Sequence, residues 1–302
     1  MSRRSVDISG KRLSLANLEK DLYPSFGFTK AHILEYYLGM AEFILPHLKD
    51  RALTLKRYPD GVDNAFFFEK RCPTHRPPWV KTREIRRGDH KPVTACLANN
   101  LETLIWAVNL ASLELHVPLA RAASPETPDS MVFDLDPGDQ VSIMDCARVA
   151  RMLRDLLAGM KLASYLKTSG KKGLHVYVPL NRKEATFEKT REFSKAVALI
   201  MQKNYPELVT AKMAKEYRKG RVFINWSQND SSKTMICVYS LRAREKPFVS
   251  FPLAWKELAN PSRAEHDDEI LQVLPSEAAR RAEKEGDFFH EVLTKRQRLP
   301  YL

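Results

Sequence analysis

The segment "MVFDLDPGDQ" at 131–140 sets two acids, Asp134 and Asp136, two residues apart in an otherwise apolar run. Met131, Val132, Phe133 and Leu135 predict a short buried strand, in which residues i and i+2 face the same way. The two carboxylates therefore stand side by side, with Cα atoms roughly 6–7 Å apart. Like charges at that range repel, and one acid is pushed toward protonation unless a positive charge lies between them. A divalent cation supplies it, and a pair of such ions can run phosphoryl or nucleotidyl transfer. A strand end closed by a solvated Asp-Pro-Gly turn would give the same D-x-D pattern without chemistry. The motif needs company.

Company lies downstream. "TSGKKGLHVYV" groups Ser169, Lys172, Gly173 and His175 around a two-glycine turn. Gly170 and Gly173 let the backbone approach a ligand and leave N–H groups free to bind anions. Lys172 offers a point charge to phosphate, and His175 opens the next strand, aimed at the carboxylate face. "INWSQNDSSKTMICVYSLRAREKP" adds Asn225, Gln228, Asn229, Lys233, Arg242 and Arg244, and amides and arginines at strand ends suit triphosphate and backbone contacts. Upstream, "LTLKRYPDGVDNAFFFEKR" combines Lys56 and Arg57 with Phe66, Phe67 and Phe68. Three successive aromatics cannot all face one core, so at least one is exposed and able to stack on a base, while two are expected inside.

These residues need a scaffold, and the stretch 131–240 predicts one. A strand (131–136) leads to a helix (142–159), a strand (163–167), the glycine turn, a strand (174–180), a second helix (185–203) and a strand (221–226). A further strand is expected at 234–240. The order β-α-β-β-α-β is the split pattern of ferredoxin-like and RNA-recognition folds, an α+β architecture. Its spatial strand order, 4-1-3-2, brings Asp134, Asp136, His175 and Asn225 onto one sheet face. Before it lies an N-terminal α/β lobe (1–122), with helices expected at 29–48 and 98–117 from their apolar spacing. The Pro- and Ser-rich "RAASPETPDS" is a soft boundary within a single 302-residue domain. The catalytic lobe is expected to span 131–250, and a helical tail 251–302.

Composition narrows the partners. The excess of 49 Lys and Arg over 37 Asp and Glu gives a net charge of +12, which suits a polyanion such as nucleic acid. Basic residues cluster in "KTREIRRGDHK" (81–91) and "AKMAKEYRKGR" (211–221). No apolar run reaches the roughly 18–20 residues of a membrane span, and "MSRRSVDISGKRLSL" lacks the apolar segment of a secretory signal. Cys72, Cys96, Cys146 and Cys237 stand far apart without C-x-x-C spacing, so free thiols in a reducing cytoplasm are expected.

Together, "FDLDPG", "TSGKKGLHVYVPL", "WSQN" and "YSLRAR", with "LYPSFGFTK", "KRYPDGVDNAFFFEK" and "LELHVPL" upstream, resemble the polymerase domain of the bacterial and archaeal DNA ligase D family. That family lies in the archaeo-eukaryotic primase superfamily and acts in end joining; the similarity runs from about residue 12 to 260. The resemblance implies a primase-polymerase core, a two-metal site using Mn2+ or Mg2+, and a preference for ribonucleotides. Asp134 and Asp136 would hold the metals, and Asn225 stands where the family pattern has a third aspartate. Lys56, Ser169, Lys172, Gly173, His175, Gln228, Lys233 and Arg242 would hold the nucleoside triphosphate. His116 would lie near the sugar, with Phe67 or Phe68 at the base. Lys20 and Lys30 would receive a 5′-phosphate of the downstream strand. Arg57, Arg83, Arg86 and Arg87 would help bridge DNA ends, and Arg218 would belong to a loop controlling metal and primer access. Implied partners are DNA with breaks, gaps or 5′-phosphorylated ends, Ku and a DNA ligase, with no membrane and a nucleoid-associated place in the cytoplasm. No ligase or nuclease module is expected within the 302 residues.

Two rivals remain at this level. A D-x-D phosphotransferase usually has a small hydroxyl residue soon after its second acid, whereas Pro137 and Gly138 follow here. A non-catalytic nucleic-acid-binding module fits the charge and Asn225 but leaves the acidic pair unexplained.

Overall fold

The computed structural model describes residues 3–86, 91–259 and 271–300, which leaves Arg87 outside the described residues. The chain divides into two units. One comprises Met1–Pro125, Thr234–Ser250 and Val273–Asp287; the other comprises Glu126–Lys233, Phe251–Gln272 and Phe288–Leu302. The tail is therefore shared between the units, and the segment after Lys233 packs with the first rather than extending a catalytic lobe to residue 250.

In the first unit, β1 (Arg3–Ile8) and β2 (Lys11–Ala16) form a hairpin, and β3 (Asp21–Tyr23) pairs with β4 (Phe28–Thr29). The helix expected at 29–48 is two, α1 (Lys30–Gly39) and α2 (Ala41–Leu48), because the chain turns at Met40 directly after Gly39. Strands β5 (Thr54–Arg57), β6 (Phe67–Glu69), β7 (Thr82–Ile85) and β8 (Val93–Cys96) follow. The helix expected at 98–117 ends as α3 (Leu101–Asn109); Ala111 turns the chain at a left-handed φ of 59°. Strand β9 (Ser112–Val117) then begins, since "SLELHV" alternates at period 2, a signal that the apolar spacing of a helix had masked. β9 is central, with β5 and β6 on one side and Met235–Ile236 on the other. Only those two residues of the strand expected at 234–240 form, and they join this sheet. The expectation of four free thiols also fails. The Cys72 N–H donates to Thr94 C=O, which lays the loop after β6 along β8, and Cys72 is bonded to Cys96; Cys146 and Cys237 are buried thiols.

The second unit is built on β10 (Ser130–Pro137), α4 (Ile143–Gly159), β11 (Tyr165–Thr168), β12 (Leu174–Pro179), α5 (Phe187–Asn204), β13 (Val209–Thr210) and β14 (Val222–Asn225). The strands run β14-β10-β12-β11, the 4-1-3-2 order of the split fold, with β13 and Pro252–Leu253 added at the edges. Ser142 caps α4 in a reciprocal box with Asp145, and Thr186 caps α5. Alternation sorts the faces. Met131, Phe133, Leu135, Leu174, Val176, Val178, Val222 and Ile224 join Val149, Leu153, Phe193 and Val197 of the helices in one core. Their neighbours Asp134, His175, Lys167 and Asn225 line the opposite face in a cross-strand row. Among the described residues, no helix is long and apolar enough to cross a membrane.

Two residues read from sequence as ligand contacts have a structural role in this sheet. A Cβ on Gly173 would stand 2.3 Å from the carbonyl oxygen of Leu135, so this glycine lets the turn approach β10. Asn229 is fully buried; its carbonyl accepts the Val132 N–H at 2.9 Å and its amide donates to Val132 C=O at 2.7 Å and Ser194 Oγ at 3.1 Å. The amide thus acts as a strand partner for β10. Asn229→Leu orphans both main-chain groups of Val132 and is expected to lower unfolding free energy by about 2–4 kcal/mol, read by urea denaturation.

Candidate active site

Asp134 sits in mid-sheet, opposite His175 on one side and Asn225 on the other. It is 7 % exposed. His175 Nε2 lies 3.2 Å from its Oδ1, while the Asn225 and Gln228 amides each donate to Oδ2 at 3.2 Å. Burial alone raises the pKa of this acid, but the histidine and the two amides outweigh it and hold the group below its ordinary value. The carboxylate is therefore ionised inside protein. Asp136, two residues on, shares its face. The Asn225 carbonyl accepts from Ser227 Oγ at 2.8 Å, and Ser227 Oγ accepts from Lys233 Nζ at 2.8 Å, so Lys233 reaches the site through a relay.

The turn beside these acids is locked by its own hydroxyl: Ser169 Oγ accepts the Lys171 and Gly173 N–H groups at 3.1 and 3.2 Å. Lys172 is exposed at its tip. The loop of Arg218 is held against the turn after Asp136. A Cβ on Gly138 would meet the Arg218 carbonyl oxygen at 1.7 Å, the Gly220 N–H donates to Asp139 C=O, and the Arg218 guanidinium lies 3.8 Å from the Phe223 ring centre.

The donor set fits a hard divalent cation. Two carboxylates share a face and each oxygen can accept more than one partner, while the Asn225 amide turns its N–H toward Asp134 and its oxygen toward Ser227. A third acid is missing: among the described residues no cluster of three His, Cys, Asp or Glu is placed to hold a metal. Asn225 points an N–H at Asp134 where an aspartate would present charge, so the amide takes the stabilising place a cation would fill.

In the first unit, a second constellation forms around a residue that sequence reading missed. Glu114 of β9, 1 % exposed, receives His116 Nε2 at 2.8 Å and Arg242 Nη1 at 3.2 Å, with Lys56 Nζ at 3.5 Å. Burial alone raises its pKa; the His116 hydrogen bond, then Arg242 and Lys56, pull it down to about 2. Lys56 is buried too, its ammonium 4.0 Å over Phe66, 5.0 Å over Tyr58 and 5.5 Å over Phe68. Burial lowers its pKa, with Glu114 opposing. Phe66, Phe67 and Phe68 are all exposed, against the expectation that two would be core: Phe67 and Phe68 lie on β6, the edge strand of its sheet, and Phe66 directly precedes it. Phe68 packs edge-on to His116 at 5.8 Å. The signal for Glu114 was present in "LELHV", where Glu114 and His116 share one face of an alternating strand.

Lys20 and Lys30 also come together, since the Lys30 N–H donates to Lys20 C=O at 2.9 Å. Lys30 is 7 % exposed and bonds Ala16 C=O, while Lys20 pairs with Asp60 at 2.7 Å. Burial first, then Lys20 and Arg57, lower the Lys30 pKa to about 8. Arg57 is tied to Glu69 at 2.9 Å. Arg83 is exposed on β7, and Arg86 follows it, paired with Glu84 at 3.0 Å.

Comparison with known proteins gives a consistent set. The sequence model described as "LigD, primase-polymerase domain" matches residues 29–289. The chain is 38 % identical over 292 residues, 94 % of its length, to the multifunctional non-homologous end joining DNA repair protein LigD of Mycobacterium tuberculosis. It is 32 % identical over 247 residues, 82 % of its length, to the bifunctional non-homologous end joining protein LigD of Bacillus subtilis. It spans only 37 % and 39 % of those relatives' lengths. Among solved structures, the polymerase domain from Mycobacterium tuberculosis ligase D in complex with DNA matches with TM-score 0.87 at 38 % identity, covering 95 % of this chain and 99 % of that one.

Glu114 makes the first unit acid-sensitive in a defined window. Its pKa lies below the ordinary 4.5, so its contribution is complete above that value and fades as pH falls toward 2. Unfolding free energy measured between pH 5 and 2.5 should fall less steeply in Glu114→Gln than in the parent, by on the order of 2–3 kcal/mol across the window.

Proposed function

The chain belongs to the family of LigD primase-polymerase domains, which are nucleotidyltransferases, and from that premise we propose that it extends DNA ends and fills gaps during double-strand break repair by non-homologous end joining. The observation that carries this reading is the ionised Asp134 beside Asp136 on the polar face of a split βαββαβ sheet, flanked by the turn that carries the exposed Lys172. A divalent ion held by Asp134 and Asp136 would lower the pKa of a primer hydroxyl and neutralise triphosphate charge, with manganese or magnesium as the ion. His175 and Gln228 keep Asp134 charged and oriented for that ion. Ser169 rigidifies the turn on which Lys172 meets phosphate. In the first unit, Lys56 and Arg242 offer positive charge to a triphosphate, His116 a polar contact to a sugar, and the exposed Phe67 and Phe68 a stacking surface for a base.

The remaining assignments follow the same chemistry. Lys20 and Lys30 are two cations set side by side, and a 5′-phosphate relieves their mutual repulsion. Arg83 and Arg86 present charge to a second DNA end, and Arg218, packed on Gly138, couples its loop to the turn that follows the acids. The partners are DNA with breaks, gaps or 5′-phosphorylated ends and nucleoside triphosphates, with Ku and a DNA ligase completing repair on nucleoid DNA in the cytoplasm.

The direct test is primer extension on a gapped, 5′-phosphorylated duplex with ribonucleotides and manganese. Incorporation by the parent is expected to be slow, because Asn225 stands where the family pattern has an acid, and should disappear altogether in Asp134→Ala; phosphate release from a small phosphoester without incorporation would favour a phosphatase instead. Ribonucleotides should bind better than deoxyribonucleotides, because a site built for the 2′-hydroxyl leaves a polar group unpaired without it. A 5′-phosphorylated gap should bind about tenfold tighter than its 5′-hydroxyl counterpart at pH 7. That preference should shrink as pH rises through the Lys30 value of about 8, where the lysine loses its proton, and vanish in Lys30→Ala.

A further inference from the structure

Glu114 stands opposite Lys56 in the β5–β9 ladder and is 1 % exposed. Four donors converge on its two oxygens from three parts of the chain. His116 Nε2 (2.8 Å) and Arg242 Nη1 (3.2 Å) reach Oε2. The Ala243 N–H (3.1 Å) and Lys56 Nζ (3.5 Å) reach Oε1. A carboxylate has about four lone-pair sites, so this one is filled.

The consequences concern the three basic side chains rather than the acid. Lys56 is held between Glu114 and the rings of Phe66, Tyr58 and Phe68, which removes the rotamer freedom a lysine normally keeps. Arg242 has its main chain fixed as well, by its N–H to Phe248 C=O and by Tyr23 Oη donating to its carbonyl. His116, donating from Nε2, is left with Nδ1 as the acceptor nitrogen. Two cations against one anion leave the cluster with an excess positive charge, the sign a triphosphate requires.

We propose that Glu114 is a positioning residue for nucleotide binding: its carboxylate holds Lys56, Arg242 and the Nε2–H tautomer of His116 as one preassembled set. The inference rests on the assignment of those three side chains to the nucleotide. Each flexible side chain already immobilised is worth about two- to tenfold in affinity, since its ordering no longer opposes binding.

The experiment measures ATP binding by the full chain, with manganese present, for the parent, Glu114→Gln, Lys56→Ala, His116→Ala, Arg242→Ala and the doubles combining Glu114→Gln with each. Glu114→Gln should weaken ATP about tenfold, and each double should lose less than the product of its two singles, because both changes break one shared arrangement. ATP affinity within twofold of the parent in Glu114→Gln, or losses that multiply independently, overturns the proposal. If Lys56→Ala and Arg242→Ala also bind ATP like the parent, the nucleotide assignment falls and the proposal with it; if they lose affinity and Glu114→Gln does not, the proposal falls alone. Nitrogen NMR of the parent's imidazoles gives a readout that needs no variant to fold. His116 should be the Nε2–H tautomer at pH 8, and an Nδ1–H signal overturns the assignment.

Discussion

A charged carboxylate in the middle of a buried strand is costly unless donors surround it, and the second unit is organised around meeting that demand for Asp134. The neighbouring strands supply His175 and Asn225, and the turn after β14 supplies Gln228. Those partners come with strand order 4-1-3-2, in which the first strand lies between the third and fourth. The close approach at Gly173 and the side-chain pairing of Asn229 hold β10 in place while one face fills with apolar side chains. Polar residues then have only the other face available. The acid thus sits within the polar row whose side chains offset the cost of burying it.

The two units solve the same problem with opposite electrical results. Asp134 is stabilised by His175 and then by the neutral amides of Gln228 and Asn225, and with Asp136 it sets two acids on one face, which suits a cation. Glu114 is surrounded by Lys56 and Arg242, so its neighbourhood is net positive and suits an anion. A nucleotidyltransferase needs both signs, one for metal and one for triphosphate. Neither carboxylate could be exchanged for its amide without changing the sign or size of its field.

Much of this was legible in the sequence. The period-2 pattern of "MVFDLDP", "LHVYVP" and "VFIN" marks the strands and their polar faces, and the split βαββαβ order is enough to place Asp134, His175 and Asn225 together. What the sequence concealed has physical causes. Glu114 reads as one more charged residue until tertiary pairing brings Lys56 and Arg242 to it. Asn229 looks like a surface amide in "WSQN", yet it completes a ladder. The Phe66–Phe68 run could not reveal that it leads into an edge strand, β6, and that all three rings are exposed. Cys72 and Cys96 are 24 residues apart, and a tertiary hydrogen bond from Cys72 N–H to Thr94 C=O lays their segments side by side. "SLELHV" merged with the preceding helix because Leu113 and Leu115 continue its apolar spacing.

We propose that the Asp134 face is the catalytic metal site and that Asn225 weakens it by offering an amide in place of charge. Primer extension by the parent and by Asn225→Asp, across a series of manganese and magnesium concentrations, tests this most directly. The account predicts that Asn225→Asp raises extension by orders of magnitude with little change in DNA affinity, and that manganese helps the parent more than magnesium does. Equal extension by the two proteins at every metal concentration would contradict it and move the missing metal ligand away from β14.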